Sequence, residues 1–212
     1  MARTGARAAR LKKLLTEAGL EPTASKKPLW PLAFDTGQQR QLLRLYRALG
    51  GQLEAPQFAP GAWDLVFADG LHVELDEQLH FNRYRAATLD SPWTSELAWT
   101  PAYKAYCTSE EARCLKDGRS QKRWTSPPAE RMFGVSGPPG DLEILGSARW
   151  RQRALYDCMK DTLAASGSVH LARVSIFDEV DGTALEKVLT GRADVSPAAL
   201  RSLTLERAQL HG

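Results

Sequence analysis

Two runs of alternating apolar and polar residues flank the dipeptide Asp69-Gly70 in the segment WDLVFADGLHVELDEQLH, residues 63–80. Alternation with a period of two is typical of β-strands. A Gly-containing turn between two such runs predicts a β-hairpin. Because side chains point alternately to the two faces of a strand, the register of this hairpin decides which residues reach the interior.

The length of the turn sets that register. A two-residue turn would put Ala68 opposite Leu71 and would mix apolar with acidic side chains on both faces. A three-residue turn, residues 68–70 with Gly70 in the left-handed conformation, brings all the apolar residues to one face. It gives three apolar pairs: Phe67 with Leu71, Leu65 with Val73, and Trp63 with Leu75. The hydrophobic pattern therefore predicts the three-residue turn.

The other face of the predicted hairpin is acidic, with Asp64 directly opposite Glu74. It carries Asp64, Val66, His72, Glu74 and Asp76. No Lys or Arg occurs between Arg47 and Arg83 to neutralise these carboxylates. Opposed positions on paired strands hold their Cβ atoms about 4.5–5.5 Å apart, close enough for two carboxylates to bind one hard cation. Mg²⁺ fits this site, although a Lys or Arg from the distant basic helices could take its place. The alternative is that these acids are simply the solvent-exposed face of an edge hairpin and bind nothing.

The composition fits one soluble domain. The 212 residues are 43% hydrophobic, which is enough for a real core, and the net charge of +3 permits a nucleic-acid partner without requiring one. No apolar run approaches membrane-spanning length, and three cysteines without a secretory context do not suggest a disulfide framework. We therefore expect a cytoplasmic protein that does not enter the membrane, and the oligomeric state is left open.

The periodicity predicts an α/β domain over residues 1–212. Residues 1–50 form a basic helical part, with one helix around Leu11 and Leu15 and a second from Asp35 to Gly50. Residues 91–146, rich in Pro, Gly and Trp, are predicted to be an irregular insertion within the domain. Further elements are predicted beyond it: a helix from Ser147 to Gly167, a strand over SVHLARVSIF (168–177), a short helix over DGTALEKVLTG (181–191), and a last helix from Ser196-Pro197 with Leu200, Leu203 and Leu210 on its apolar face.

The run VELDEQLHF, residues 73–81, resembles the core of the PD-(D/E)XK nuclease superfamily, in particular the branch related to very-short-patch-repair endonucleases. A strand in that branch reads roughly E-L-D-G-x-x-H, and Glu74, Asp76 and His80 stand at matching intervals. Asp64 is similar to the first metal-binding Asp of the family. The segment LYDCMKDTLAASG, residues 155–167, resembles a helix of the same branch, with Lys160 at an Arg position.

The resemblance implies a restriction-endonuclease-like mixed β-sheet flanked by helices. The insertion between the two matching segments is much longer than the family pattern leads us to expect. It implies Asp64, Glu74 and Asp76 as metal ligands for Mg²⁺, with Mn²⁺ as a substitute, and His80 as a fourth catalytic residue. The sequence departs from the pattern at Glu77, where the family has Gly. It also has Asp76 where the parent motif has Lys, which leaves the identity of the general base or electrostatic helper open.

A nuclease with an acidic pocket needs cations to attract its polyanionic substrate. Arg residues follow His80, and basic residues alternate with Trp in QKRWTS and ARWRQR, a pattern typical of surfaces on which Trp stacks on bases. Such residues are also ordinary helix surface and core anchors. The nucleic-acid-binding candidates are Arg83, Arg85, Lys122, Arg123, Trp124, Arg149, Arg153 and Lys160.

The predicted function is that of an Mg²⁺-dependent endodeoxyribonuclease that hydrolyses phosphodiester bonds in DNA. One alternative is a catalytically inactive nucleic-acid-binding module of the same fold, which the missing Lys makes credible. The other is a structural protein whose basic helices bind an acidic surface of a partner.

Overall fold

The computed structural model describes residues 5–25 and 33–209 of the chain. Helices dominate it, and they are numbered here in chain order. They are α1 (Ala6–Glu17), α2 (Thr36–Ala48), α3 (Arg83–Thr88), α4 (Thr100–Ser109), α5 (Glu111–Gly118), α6 (Gln121–Trp124), α7 (Pro127–Phe133), α8 (Ala148–Ala165), α9 (Leu185–Leu189) and α10 (Pro197–Arg207). Two 3-10 turns, Gln78–His80 and Pro92–Glu96, lie between the helices.

The longer helices begin where the sequence predicts. Asp35 caps α2 by accepting the N–H of Gln38 at 2.8 Å, while the side chain of Gln38 accepts the N–H of Asp35 at 3.0 Å. Ser147 caps α8, and Pro197 occupies the first turn of α10. Leu210, predicted for the apolar face of the last helix, lies outside the described residues.

A three-stranded sheet has the order β1 (Leu65–Val66), β2 (Leu71–Asp76) and β3 (His170–Ser175), and β4 (Glu179–Val180) pairs separately with β5 (Thr183–Ala184). β1 is antiparallel to β2, and β3 is parallel to β2. The chain is therefore a mixed α/β protein.

The predicted hairpin register is confirmed. Leu65 pairs with Val73, and the N–H of Phe67 donates to the carbonyl of Leu71 at 2.9 Å. Gly70 has φ of 89°, the left-handed conformation that a three-residue turn requires. The apolar alternation alone was sufficient to select this pairing.

The predicted position of Trp63 is wrong. The side chain of Trp63 is buried on the other side of the sheet from Leu65 and Leu75, where its ring lies 5.0 Å from the ring of His72. β1 covers only Leu65 and Val66, so the alternation of a paired strand ends before it reaches Trp63. A bend at residue 64 redirects the chain.

Helices cover both faces of the sheet. On one face α1, α9 and α10 pack against Leu71, Val73 and Val174 in an apolar cluster. On the other face α8 packs with α3 and α4 around a second cluster that includes Phe81 and Tyr103. The polar residues of β2 and β3 lie beneath α8, and this arrangement positions the candidate site.

The prediction that residues 91–146 are irregular is wrong, because four helices, α4 to α7, lie within this range. Pro101 and Pro127 stand in the first turn of α4 and α7, where the missing N–H of Pro costs no hydrogen bond. Trp99 and Trp124 are buried anchors of this region. The prolines therefore begin helices here instead of interrupting them.

None of the helices in the described ranges, 5–25 and 33–209, combines the length and apolar character needed to cross a bilayer. Cys107, Cys114 and Cys158 are buried as free thiols.

Candidate active site

The hairpin brings Asp64 and Glu74 together, as the register predicts. The N–H of Asp64 donates to Oε1 of Glu74 at 3.2 Å, and Oδ2 of Asp64 accepts the N–H of Leu75 at 3.0 Å. The Asp64 carboxylate thus satisfies a strand amide just beyond the end of β1. Asp64 is exposed, whereas Glu74 is only 5% exposed and lies deeper.

Lys160 of α8 is the cation at this pair. Its Nζ lies 2.7 Å from Oε1 of Glu74, donates to the carbonyl of Ala62 at 3.0 Å, and stands 5.2 Å from the centre of the Trp63 ring. From the sequence, Lys160 is predicted to bind nucleic acid together with Arg149 and Arg153. In the structure Lys160 is instead the cation from a distant helix that the sequence allowed as an alternative to Mg²⁺ at the acidic face.

Both carboxyl groups of the pair hold protons more tightly than usual. Burial raises the pKa of Glu74 to about 7, because the lowering effect of Lys160 does not outweigh the loss of solvation and the neighbouring charge of Asp64. The surrounding protein atoms also raise the pKa of Asp64 by desolvation, although the hydrogen bond from Leu75 opposes this. The negative charge of this pair is therefore incompletely compensated.

Asp76 lies two residues after Glu74, and its carboxylate is fully engaged. Nη1 of Arg173 donates to both oxygens, at 3.0 and 2.8 Å, and the hydroxyl of Tyr103 donates to Oδ2 at 2.9 Å. The Nδ1 of His80 lies 3.0 Å from Oδ1. Burial opposes the charge, but Arg173 and His80 outweigh it and hold the pKa of Asp76 well below its usual range. Asp76 thus has its own set of partners, although its charge also contributes to raising the pKa of Asp64.

His80 is held between two carboxylates. Its Nδ1 lies 3.0 Å from Asp76 and 2.8 Å from Oδ2 of Asp157 on α8. Burial disfavours the imidazolium, but the charges of Asp157 and Asp76 outweigh it and raise the pKa of His80 to about 9. His80 is therefore positively charged at neutral pH. Within the described part of the chain Nε2 makes no hydrogen bond, so it is the ring nitrogen available to a ligand in the cleft.

Sequence reasoning missed Asp157 and Asp161, which follow Tyr156 and Lys160 in LYDCMKD. Asp161 accepts Nε of Arg173 at 2.5 Å and forms an ion pair with Nη1 of Arg85 at 2.7 Å. The spacing of Asp157, Lys160 and Asp161 places three charged groups on one helical face, which was the available signal. Of these three residues, only Lys160 is predicted from the sequence as a candidate site residue.

Arg85, predicted to bind nucleic acid, is 1% exposed and pairs with Asp161. It is therefore a buried structural cation that a ligand cannot reach. Together with its neighbours it completes a balanced ionic network beneath α8. The network joins three carboxylates and three cations, namely Asp76, Asp157 and Asp161 with Arg85, Arg173 and protonated His80.

Asp76, His80 and Asp157 also form a group that could hold a metal, because one ligand atom of each lies within 4.8 Å of the others. A cation there would require His80 to lose its proton. It would also replace one positive charge by two in a network that is already neutral. The hydrogen-bonded imidazolium is the arrangement that balances the charges.

A cleft of about 820 Å³ joins the carboxylates to most of the predicted cations. Asp64, Glu74 and His80 line it, and the basic residues along it are Arg7, Lys122, Arg123, Arg149, Arg153 and Lys160. Five predicted nucleic-acid-binding residues therefore meet three of the four predicted catalytic residues at one surface, whereas Asp76 does not line the cleft.

Arg83 and Trp124 do not line this cleft. Arg83 is exposed elsewhere and pairs with Glu111 at 3.1 Å and Glu143 at 3.0 Å. Trp124 is 1% exposed, and its ring packs edge-on against that of Trp150 at 4.9 Å. The interior position of Trp124 leaves it unable to stack on a base.

Residues 44–191 match the model of DUF7255, a family of unknown function. The match covers well over half of the chain. The chain belongs to the DUF7255 family. No curated protein and no solved structure matches it. The residues matched to DUF7255 contain β1 to β3, α8 and the whole ionic site from Asp64 to Arg173, whereas α1 and α10 lie outside them.

Proposed function

We propose that this chain is a divalent-metal-dependent endodeoxyribonuclease with a restriction-endonuclease-like fold. The observation that carries the proposal is the approach of Asp64 and Glu74 on the hairpin, with Lys160 2.7 Å from Glu74, in one cleft with a charged His80 and further cations. The mixed sheet covered by helices on both faces is compatible with the fold that the VELDEQLHF resemblance implies.

The Asp64–Glu74 pair suits a hard cation. Oδ2 of Asp64 and Oε1 of Glu74 accept hydrogen bonds, while the second oxygen of each carboxylate accepts none within the described part of the chain. Carboxylate oxygens are the ligands that Mg²⁺ prefers, and Mn²⁺ accepts the same ligands. When bound, Mg²⁺ supplies polarisation of the phosphoryl group and lowers the pKa of the attacking water.

Lys160 supplies the cation that the motif lacks at Asp76. Its Nζ donates to Glu74 and to the carbonyl of Ala62, so it is held at the carboxylate pair by two hydrogen bonds. In that position it offsets negative charge that builds up on the phosphate in the transition state. The general-base role of a motif Lys is not assigned to it.

His80 acts as the acid. In phosphodiester hydrolysis the attacking water releases one proton to bulk solvent as its oxygen bonds to phosphorus, the bond from phosphorus to the leaving oxygen breaks, and that oxygen takes up a proton from His80, which solvent then reprotonates. A His80 held charged by Asp157 and Asp76 has a proton to donate and also attracts a phosphate oxygen.

The test is cleavage of plasmid DNA and of circular single-stranded DNA, with Mg²⁺ in large excess over the protein. We expect the wild type to cut one or both, and Glu74→Ala and Asp64→Asn to lose at least about 10³-fold in rate, as a missing transition-state interaction would cause. Glu206→Ala, which removes an exposed carboxylate on α10, is the control and should be fully active. Full activity of Glu74→Ala would refute the proposed site.

A catalytically inactive DNA-binding module is the second candidate. The contact that favours it is the ion pair of Lys160 with Glu74, which offsets part of the charge of that carboxylate without a metal. Salt-sensitive DNA binding without cleavage in Mg²⁺ or Mn²⁺ would support it. Absence of DNA binding at low salt would instead favour the partner-binding structural protein.

A further inference from the structure

Two of the candidate reactive groups, Glu74 and His80, are recessed, whereas Asp64 is exposed at the mouth of the cleft. Glu74 is 5% exposed and the side chain of His80 is 21% exposed, and both line the cleft of about 820 Å³. The start of α1, with Gly5 and Arg7, and α6, with Arg123, border the same space. This size falls within the range of small-ligand pockets, about 300–1,000 Å³. A B-form duplex is wider than its major groove of about 12 Å, so it can lie across the mouth of a cleft of this size but cannot enter it to reach Glu74.

Four cations of the cleft form no ion pair within 4.0 Å in the part of the chain that the structure describes, although the charge of Asp157 acts on Arg153. They are Lys122 and Arg123 on α6 and Arg149 and Arg153 on α8. Arg123 and Arg153 donate only to backbone carbonyls, those of Asp117 and Leu79, each at 3.0 Å. Arg7, by contrast, is paired with Glu186 at 3.0 Å. The uncompensated positive charge is therefore concentrated where α6 meets α8.

Hydrogen bonds from buried side chains fix the backbone of α6, which carries Lys122 and Arg123. Nε1 of Trp150 donates to the carbonyl of Arg123 at 3.0 Å, the hydroxyl of Ser147 donates to the carbonyl of Trp124, and Nε1 of Trp124 donates to the carbonyl of Gly137 at 2.8 Å. The buried Trp124–Trp150 pair thus holds α6 against α8. The backbone that carries these cations is therefore preorganised, which lowers part of the entropic cost of binding an anion.

The described lining offers little for reading bases. Tyr156 is its one aromatic side chain apart from His80, and Gln78 and Gln152 are its amides. Contacts from Lys and Arg to phosphates position a nucleic acid without reading its sequence. The lining therefore favours recognition of a phosphate backbone.

We propose that this cleft binds one unpaired DNA strand, without sequence preference, with its phosphates along the wall formed by Lys122, Arg123, Arg149 and Arg153. The inference names the substrate class of the proposed nuclease and depends on that function for cleavage, though not for binding. It also assigns a role to the helical insertion, whose α6 supplies half of the wall.

Binding is measured first, without metal, on Glu74→Ala protein that cannot cleave. Fluorescence anisotropy compares a labelled single strand with a blunt duplex of the same sequence. We expect the single strand to bind at least about tenfold more tightly, and an added Lys122→Ala/Arg123→Ala change to weaken it at least about tenfold. The dependence of log K on log salt should flatten by about 1.4, since each lost contact to a single strand contributes about 0.7.

The matched control is Arg44→Ala/Arg201→Ala in the same background, which removes two exposed cations of α2 and α10. It should change single-strand binding less than about twofold, because it alters only the overall charge. Equal or tighter binding of the duplex would overturn the single-strand proposal. Equal losses in the control and in the α6 variant would overturn the assigned wall.

Cleavage by the wild type separates this inference from the proposed function. Single-strand-selective binding with no cleavage of any substrate in Mg²⁺ or Mn²⁺ would support the cleft assignment and refute the nuclease. Efficient cleavage of linear duplex DNA with poor cleavage of the single strand would support the nuclease and refute the single-strand cleft.

Discussion

Glu74 and Asp76 lie two residues apart on the same face of β2, yet their surroundings shift their pKa values in opposite directions. Both are buried, at 5% and 1% exposure. Glu74 has Lys160 as its ion-pair partner and a pKa of about 7, whereas Asp76 has Arg173, His80 and Tyr103 and a pKa well below its usual range. Burial acts on both, so the difference comes from the number of partners.

This difference separates a carboxylate that holds the fold from one that is available to a ligand. A buried charge is tolerated when ion pairs and hydrogen bonds replace its lost hydration, and Asp76 satisfies that condition completely. Glu74 retains an oxygen without a hydrogen bond and an unfavourable neighbour in Asp64. Incompletely compensated groups in a cleft are candidates for function. The network around Asp76 also fixes His80 toward the same cleft.

The largest expected effect is on stability, from Asp76→Asn. The change leaves Arg173 and His80 buried without their shared carboxylate and turns an amide donor toward a guanidinium. We expect a loss of about 3–5 kcal/mol in the free energy of unfolding, as is typical when one partner of a buried ion pair is removed. Urea denaturation at pH 7 measures it, with the exposed Glu179→Gln as control. A loss below about 1 kcal/mol would show that Asp76 is not the structural carboxylate.

The second prediction concerns pH and His80. A His with a raised pKa in the folded state stabilises the protein fully below its unfolded pKa of about 6.5, and this contribution disappears as the pH rises through the folded value of about 9. The difference between these two values corresponds to about 3 kcal/mol.

The stability advantage of the wild type over His80→Gln should therefore shrink by about 3 kcal/mol between pH 6 and pH 9.5. Urea denaturation at several pH values tests this. His170→Gln, which removes an exposed imidazole at the start of β3, should show no such change. A constant difference across the range would mean that folding does not raise the pKa of His80, and it would contradict the ion pairs of His80 with Asp76 and Asp157.

The register of the hairpin could be predicted because alternation and turn length constrain it from a few neighbouring residues. The position of Lys160 could not, because 86 residues separate it from Glu74. The periodicity of α8 shows which of its residues share a face, but not which sheet residues that face will cover. Lys160, Arg149 and Arg153 look alike in sequence, and only the packing of α8 over β2 and β3 distinguishes the first from the others.

The insertion illustrates a second limit. Helices α5, α6 and α7 have eight, four and seven residues, too short for periodicity to emerge from the sequence. Alternating basic residues and Trp are compatible with both a surface and a core anchor. The contact between Trp124 and Trp150, which are 26 positions apart in sequence, shows that Trp124 is a core anchor.

The smallest expected effect is stabilisation by Mg²⁺, and it separates Glu74 from Asp76 most directly. A ligand at ten times its Kd stabilises the folded state by about 1.4 kcal/mol, which raises the Tm of a chain of this size by about 3–6 °C. We expect this rise in the wild type, none in Glu74→Gln, and the same rise in Asp76→Asn from a lower starting Tm, because Asp76 is not proposed to hold the ion once its oxygens are engaged by Arg173. The opposite pattern, with the rise kept in Glu74→Gln and lost in Asp76→Asn, would move the metal to the group formed by Asp76, His80 and Asp157. That result would reverse the roles of the two carboxylates: Asp76 would be the metal ligand, and Glu74 would serve only as the ion-pair partner of Lys160.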